Sequence, residues 1–196
     1  WGCGWFGFKG GSALGANSRA VMAVFSTQLA ACASALTGSS MEWITRRKPS
    51  VLGMISGAIA GLGTITPASG FVGPWHGVLI GVIAGAICFW ACTSLKHRLN
   101  YDDSLDVFGV HGIGGLTGTI LAGVFATAAI GGTAGLIEGN PQQLWTQLYG
   151  VAVTLVWAGA ATFVLLKLVG LFVGLRTPLQ QEMEGLDITQ HGEALQ

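Results

Sequence analysis

The chain has 196 residues, of which 51% are apolar and 9% charged, and it contains 32 glycines. Soluble domains carry about 25% charged residues and about 7% glycine, so this chain has too few polar groups to cover a water-soluble globule. Low net charge with high apolar content is also the reverse of a disordered chain, and a formal charge of zero leaves no basic footprint for nucleic acid. What remains is an all-α membrane protein. The four cysteines, Cys3, Cys32, Cys88 and Cys92, lie in apolar runs without metal-ligand spacing and read as small buried thiols. No metal or cofactor is expected.

Hydrocarbon about 30 Å thick takes about 20 apolar residues of helix to cross. Trp1 to Phe8 is apolar and aromatic but too short, with no initiator methionine and no signal peptide. It reads as the last two turns of a helix that begins upstream, with the chain as the C-terminal part of a longer protein. Candidate spans follow near 20–44, 51–73, 75–95, 105–130 and 148–175. Residues 1–176 are thus expected to form a transmembrane bundle, with 177–196 as a tail.

The loops supply the topology. Arg46, Arg47 and Lys48 fill one loop, Lys96 and Arg98 fill another two crossings later, and Arg176 follows the last span. Only Lys9 and Arg19 fall on the opposite side. This asymmetry predicts a cytoplasmic tail, and Lys167 can snorkel toward the same face. Pro178 stops the last helix, and a short helix is expected over 179–184, ending at Gly185. The acidic tail reads equally as a solvated end or a docking segment.

Glycine recurs at helical spacing. Gly53, Gly57 and Gly61 form two overlapping GxxxG units, and Gly77, Gly81 and Gly85 repeat them in the next span. Such stripes allow close backbone approach in lipid. Pro67, after Thr64-Ile65-Thr66, frees carbonyls that hydroxyls or a neighbouring helix must satisfy. It reads as a packing kink rather than a ligand site.

The most informative segment runs from Asp102 to Gly115. Asp102, Asp103 and Asp106 are expected at a helix N-terminus, where carboxylates cap free N–H groups. His111 follows about six residues past the expected helix start, roughly 9 Å deep. An ionisable group at that depth is a functional candidate by default. Val107, Gly114, Gly115 and Gly118 share its face, while Asp106 points about 140° away on an ideal helix. A neutral imidazole in a dry lumen fits this pattern; the alternative is a satisfied interhelical hydrogen bond. His76 reads as interfacial, and His97 and His191 as cytoplasmic. At the start of the chain Trp5, Phe8 and Ser12 share one helical face, where an aromatic ring and a hydroxyl can hold a small cation.

Trp5-Phe6-Gly7-Phe8 with Gly11-Ser12, Gly53 to Gly61, Thr66-Pro67, Asp102-Asp103 with Asp106 to Gly112, Val173 to Arg176, Glu184 to Asp187 and His191-Gly192-Glu193 are similar to the C-terminal half of the ammonium transporter (Amt/Rh) family, nearest its bacterial members. The resemblance implies the second half of an eleven-helix inverted-repeat bundle: the end of a sixth helix, about five full spans and a cytoplasmic tail, in a homotrimer with one pore per subunit in the inner (plasma) membrane. It implies that Ser12 belongs to an outer ammonium recruitment site and that Phe8 gates the pore beneath it. Trp5 and Val107 would line the lumen, with His111 as one of two facing pore histidines. Ammonium is then recruited as the cation, deprotonated, and passed as ammonia. The tail resembles a regulatory segment, with Thr189 at a position phosphorylated in plant members, and a PII-type signalling protein is the implied cytoplasmic partner.

Two departures from the family stand out. Lys9 replaces the usual asparagine beside Phe8, where it can repel the incoming cation or snorkel away. The residues that the first repeat supplies, including the second pore histidine, are not in this sequence. The competing reading is a non-conducting ammonium sensor or scaffold. An intramembrane enzyme using His111 as a base lacks a nucleophile on a matching face, so no enzymatic activity is expected.

Overall fold

The computed structural model describes residues 2–193, with side chains from Gly4 onward, so Trp1 and the Cys3 thiol lie outside the described residues. The helices are α1 (Gly2–Gly11), α2 (Ser18–Arg46), α3 (Val51–Ile65), α4 (Pro74–Leu99), α5 (Phe108–Phe125), α6 (Ala128–Gly131), α7 (Pro141–Gly170) and α8 (Leu179–Glu184). Among the described residues there is no strand. The chain packs as two compact units, one extending to Val151 and one beginning at Ala152.

The helix starts follow from local chemistry. Asn17 Oδ1 accepts the Ala20 N–H at 3.0 Å, Ser50 Oγ accepts that of Gly53 at 2.9 Å, and Pro74 opens α4. Four helices, α2, α4, α5 and α7, are long and apolar enough to cross a membrane. α3 is not. The run 51–73 reads as one span, but its helix has 15 residues, about 22 Å, and stops at Thr66-Pro67. Pro67 ends the helix rather than kinking it, because it cannot continue the hydrogen-bond ladder. The turns that follow are tolerable at membrane depth because they are buried in protein. Ala68 and Val72 are fully covered, Ser26 Oγ donates to Ser69 O at 2.8 Å, Arg19 Nε to Gly70 O at 3.1 Å and Thr127 N to Phe71 O at 2.8 Å.

α2 is the centre of the first unit, and the two glycine stripes clasp it. A Cβ at Gly61 would stand 2.5 Å from Ala30 O, and one at Gly57 3.1 Å from Ser34 O, so α3 runs antiparallel to α2. On α4, Gly77 faces Ser26, Gly81 faces Ala30, and a Cβ at Gly85 would stand 2.7 Å from Ser34 O; α4 therefore runs parallel to α2. Ser34 Oγ donates to Gly57 O at 2.6 Å across the closest approach. The parallel pair places Arg46–Lys48 and Lys96–Arg98 at one end of the unit, as the charge pattern requires. The outer face of α2 carries Cys32, which is exposed rather than buried; Cys88 is buried and Cys92 half-buried.

α7 starts earlier than the run 148–175, at Pro141, and has no buried residue. In the second unit α8 matches the expected 179–184 helix and ends at Gly185, whose φ of +100° suits glycine. A π-helical turn, Asp187–His191, follows.

Candidate functional site

The acidic segment before α5 is organised by one lysine from the end of α4. Lys96 Nζ donates to Asp106 Oδ1 at 2.8 Å and also to the Asp103 carbonyl. Asp103 is the cap: its carboxylate accepts the Val107 and Phe108 N–H groups at 2.9 and 2.8 Å. Asp106 does not share that role. Asp106 has a φ of +56°, a left-handed conformation that aspartate tolerates better than most residues, and its carboxylate turns to Lys96. Asp102 is exposed and precedes the cap. α5 opens with a π-helical stretch, Phe108–Ile113, so ideal α-helical angles do not apply between Asp106 and His111.

His111 is exposed on the face of the unit, with described residues forming a wall on one side. The wall is α3: a Cβ at Gly63 would lie 3.8 Å from His111 Nδ1, and one at Gly114 2.8 Å from Thr64 Oγ1. Gly118 packs on the Thr64 carbonyl and on Pro67. At Gly115 no atom would come within 4 Å of a Cβ. His111 also lies deeper than its distance from the helix start implies. Cys92 Sγ would touch a Cβ at Gly109 and Cys88 Sγ one at Gly114, so His111 is level with residues 88–92 of α4. That is about seven to eleven residues inside Leu99, roughly 10–16 Å, or near the middle of a hydrocarbon layer about 30 Å thick. Val107, a turn earlier, is 51% exposed.

Trp5, Phe8 and Ser12 come together on α1. The Trp5 and Phe8 rings meet edge-on, 6.3 Å between centroids, and Ser12 Oγ donates to Phe8 O at 2.8 Å. Lys9 is buried and does not snorkel away; its Nζ lies 4.4 Å from the Phe8 ring centroid. This cluster packs against α2, whereas His111 belongs to the α3–α4–α5 corner. His76 is half-buried and stacks on Phe125 at 5.2 Å. In the tail, Thr189 is half-buried, and its Oγ1 donates to Gly185 O at 3.0 Å.

Two residues of the site are missed by reading the sequence. Lys96 counts there only toward charge asymmetry, yet it holds the start of α5. Glu42, 5% exposed at the basic end of α2, accepts from Ser50 N at 2.8 Å and from Arg46 Nη1 at 3.3 Å, tying α2 to α3. A carboxylate inside an apolar run is its signal. Glu42 and Asp106 both line a cavity of ≈ 160 Å³ with Ser56, Cys88, Cys92 and Val110. Both carboxylates are already engaged, so the cavity is not a cation site by its acids.

Residues 2–195 match the model of the Ammonium Transporter Family. The chain belongs to that family. It is 48% identical over 192 residues to an ammonium transporter of Bacillus subtilis, covering 97% of this chain and 48% of that one. Ammonium transporter Amt1 of Archaeoglobus fulgidus is 46% identical over 190 residues, again 97% of this chain and 48% of the relative. The chain thus spans about half the length of these curated relatives. Among solved structures, Saccharomyces cerevisiae Mep2 superposes with a TM-score of 0.84 at 38% identity, covering 90% of this chain and 41% of that one. A sensor Amt protein superposes with a TM-score of 0.84 at 28% identity, covering 95% and 46%.

Proposed function

We propose that this chain forms one side of a narrow pore that moves ammonium across the plasma membrane as ammonia, with His111 at its midpoint. The observation that carries the reading is the imidazole itself: near mid-membrane depth, exposed, and bordered by a glycine that leaves room beside it. Stripping a cation of water in a low-dielectric passage is costly, so a neutral permeant and a proton-accepting imidazole lower the barrier. Ser12 belongs to the outer recruitment site, Phe8 gates the pore beneath it, and Trp5 and Val107 line the lumen. Asp103, Asp106 and Lys96 act structurally at the cytoplasmic entrance. The relatives' names support the substrate; the half-length coverage makes the whole pore a property of a larger assembly, expected to be a homotrimer.

The tail is proposed to lie in the cytoplasm and to meet a PII-type regulator, with Thr189 as a modifiable position. Its hydroxyl is engaged with Gly185 O, so phosphorylation there would open the Asp187–His191 turn. The similarity to a sensor Amt protein keeps the sensing reading in view. Methylammonium uptake into proteoliposomes by the full gene product carrying these 196 residues separates the two. Transport by the wild type, lost in His111→Ala, is the expected result. A folded wild type that transports nothing would overturn the pore reading and favour the sensor.

A further inference from the structure

We propose that Lys9 is a tethered cation that competes with substrate for the Phe8 ring and so sets the transporter's apparent affinity. The inference rests on the reading that Phe8 stands in the path of an incoming ammonium ion. Three observations carry it. Lys9 is only 3% exposed, although α1 ends two residues later at the exposed Gly11, within easy reach of a lysine stem. Its Nζ lies 4.4 Å from the Phe8 ring centroid, and among the described residues it donates no hydrogen bond and meets no carboxylate. Phe8 is itself 57% exposed, so within this chain the amine is the one cation resting on a ring that the described residues leave half uncovered.

The chemistry is that of a built-in substrate mimic. A primary ammonium shares with ammonium ion its charge, its N–H donors and its attraction to the negative face of an aromatic ring. Ser12 Oγ donates to Phe8 O at 2.8 Å, and no hydrogen bond joins it to the amine among the described residues. Trp5 meets the ring edge-on, so Lys9 and Trp5 together set the ring's orientation. An arriving cation therefore meets a site that already carries positive charge and must displace it before using the ring. Lys9 acts through Phe8 and is a positioning and specificity residue.

The test uses ammonium uptake by the full gene product, with KM and maximal rate separated. Lys9→Met keeps the stem and removes the charge, and is expected to lower KM about five-fold, the size of a partly buried cation–π contact, with little change in maximal rate. Lys9→Asn should act in the same direction, and Lys9→Arg should retain the wild-type KM. A second readout does not depend on transport. Selective ¹³C-lysine labelling leaves the amine unmodified, and the Lys9 ε-methylene signal, assigned by its absence in Lys9→Arg, should be shifted upfield by the Phe8 ring current. Phe8→Leu should abolish the shift, and methylammonium should reduce it. Wild-type KM in Lys9→Met, or a Lys9 signal without the shift, overturns the proposal. A wild type that moves no ammonium while the shift persists and responds to methylammonium defeats the transport reading alone.

Discussion

Replacing Gly61 with alanine tests whether glycine-mediated contact, rather than apolar bulk, holds the first unit together. The added methyl would stand 2.5 Å from Ala30 O and 2.6 Å from Ser34 Cβ, where ordinary contact begins near 3.4 Å. Both neighbours belong to the α2 backbone or its immediate root, so no flexible side chain can swing aside. α2 and α3 must part by roughly 1 Å, an overpacking cost of about 1–3 kcal/mol. The same movement stretches the Ser34 Oγ–Gly57 O hydrogen bond, now 2.6 Å, and interhelical bonds of this kind contribute about 0.6 kcal/mol in membranes. The total of about 2–3.5 kcal/mol corresponds to a melting point lower by roughly 4–14 °C. Thermal unfolding in detergent, followed by tryptophan fluorescence, measures it. Gly159→Ala is the control, because no atom lies within 4 Å of its Cβ position. If Gly61→Ala melted with the wild type and the control, close backbone packing would not be what stabilises this bundle.

Two further outcomes are expected. Lys96→Met removes the donor shared by Asp106 Oδ1 and the Asp103 carbonyl, so limited proteolysis between Tyr101 and Asp106 should accelerate. Uptake should fall as well, because the helix start that carries Val107 and His111 loses its anchor. A periplasmic alkaline phosphatase reporter fused after Gln196 should be inactive, as the basic residues gathered at one end of α2 and α4 predict; an active fusion would reverse the assigned orientation.

Much of the architecture was legible because it depends on spacing. The stripes Gly53-Gly57-Gly61 and Gly77-Gly81-Gly85 are local patterns, and each is found against α2. The tail helix Leu179–Glu184 was legible from Pro178 and Gly185 for the same reason. What stayed hidden depends on partners distant in sequence. Three aspartates before a helix are equivalent as caps until Lys96 arrives from α4 and turns Asp106 away. In the apolar run 51–73 Pro67 marks the break but not whether the helix kinks or ends, because that depends on Arg19, Ser26 and Thr127 from other segments meeting the carbonyls of the turns that follow. Lys9 is the sharpest case. Its position near a helix end favours snorkelling by rule, and only the ring of Phe8 beneath its amine shows otherwise.

The contrast between α2 and α5 carries the functional argument further. α2 is enclosed by α3 and α4, and three of its buried hydroxyls are met inside the unit: Ser26 bonds Ser69, Ser34 bonds Gly57, and Thr27 bonds Ala23, while Ser39 Oγ is buried without a partner among the described residues. Among the described residues α5 is enclosed on one side. Gly109, Gly114 and Gly118 seat it against α3 and α4, while Val107, Phe108 and His111 face outward. For Val107 and Phe108 a lipid surround is adequate. For an imidazole near mid-membrane it is not, because a polar group in hydrocarbon needs a partner, a protein wall or water. The curated relatives are about twice as long as this chain, and under the proposed function the added length supplies a protein wall opposite α5. A wall packed directly on His111 would need to fill the space left at Gly115, whereas a wall set back from it leaves a passage. The proposed function requires the second arrangement, and loss of methylammonium uptake in His111→Ala is the outcome it predicts.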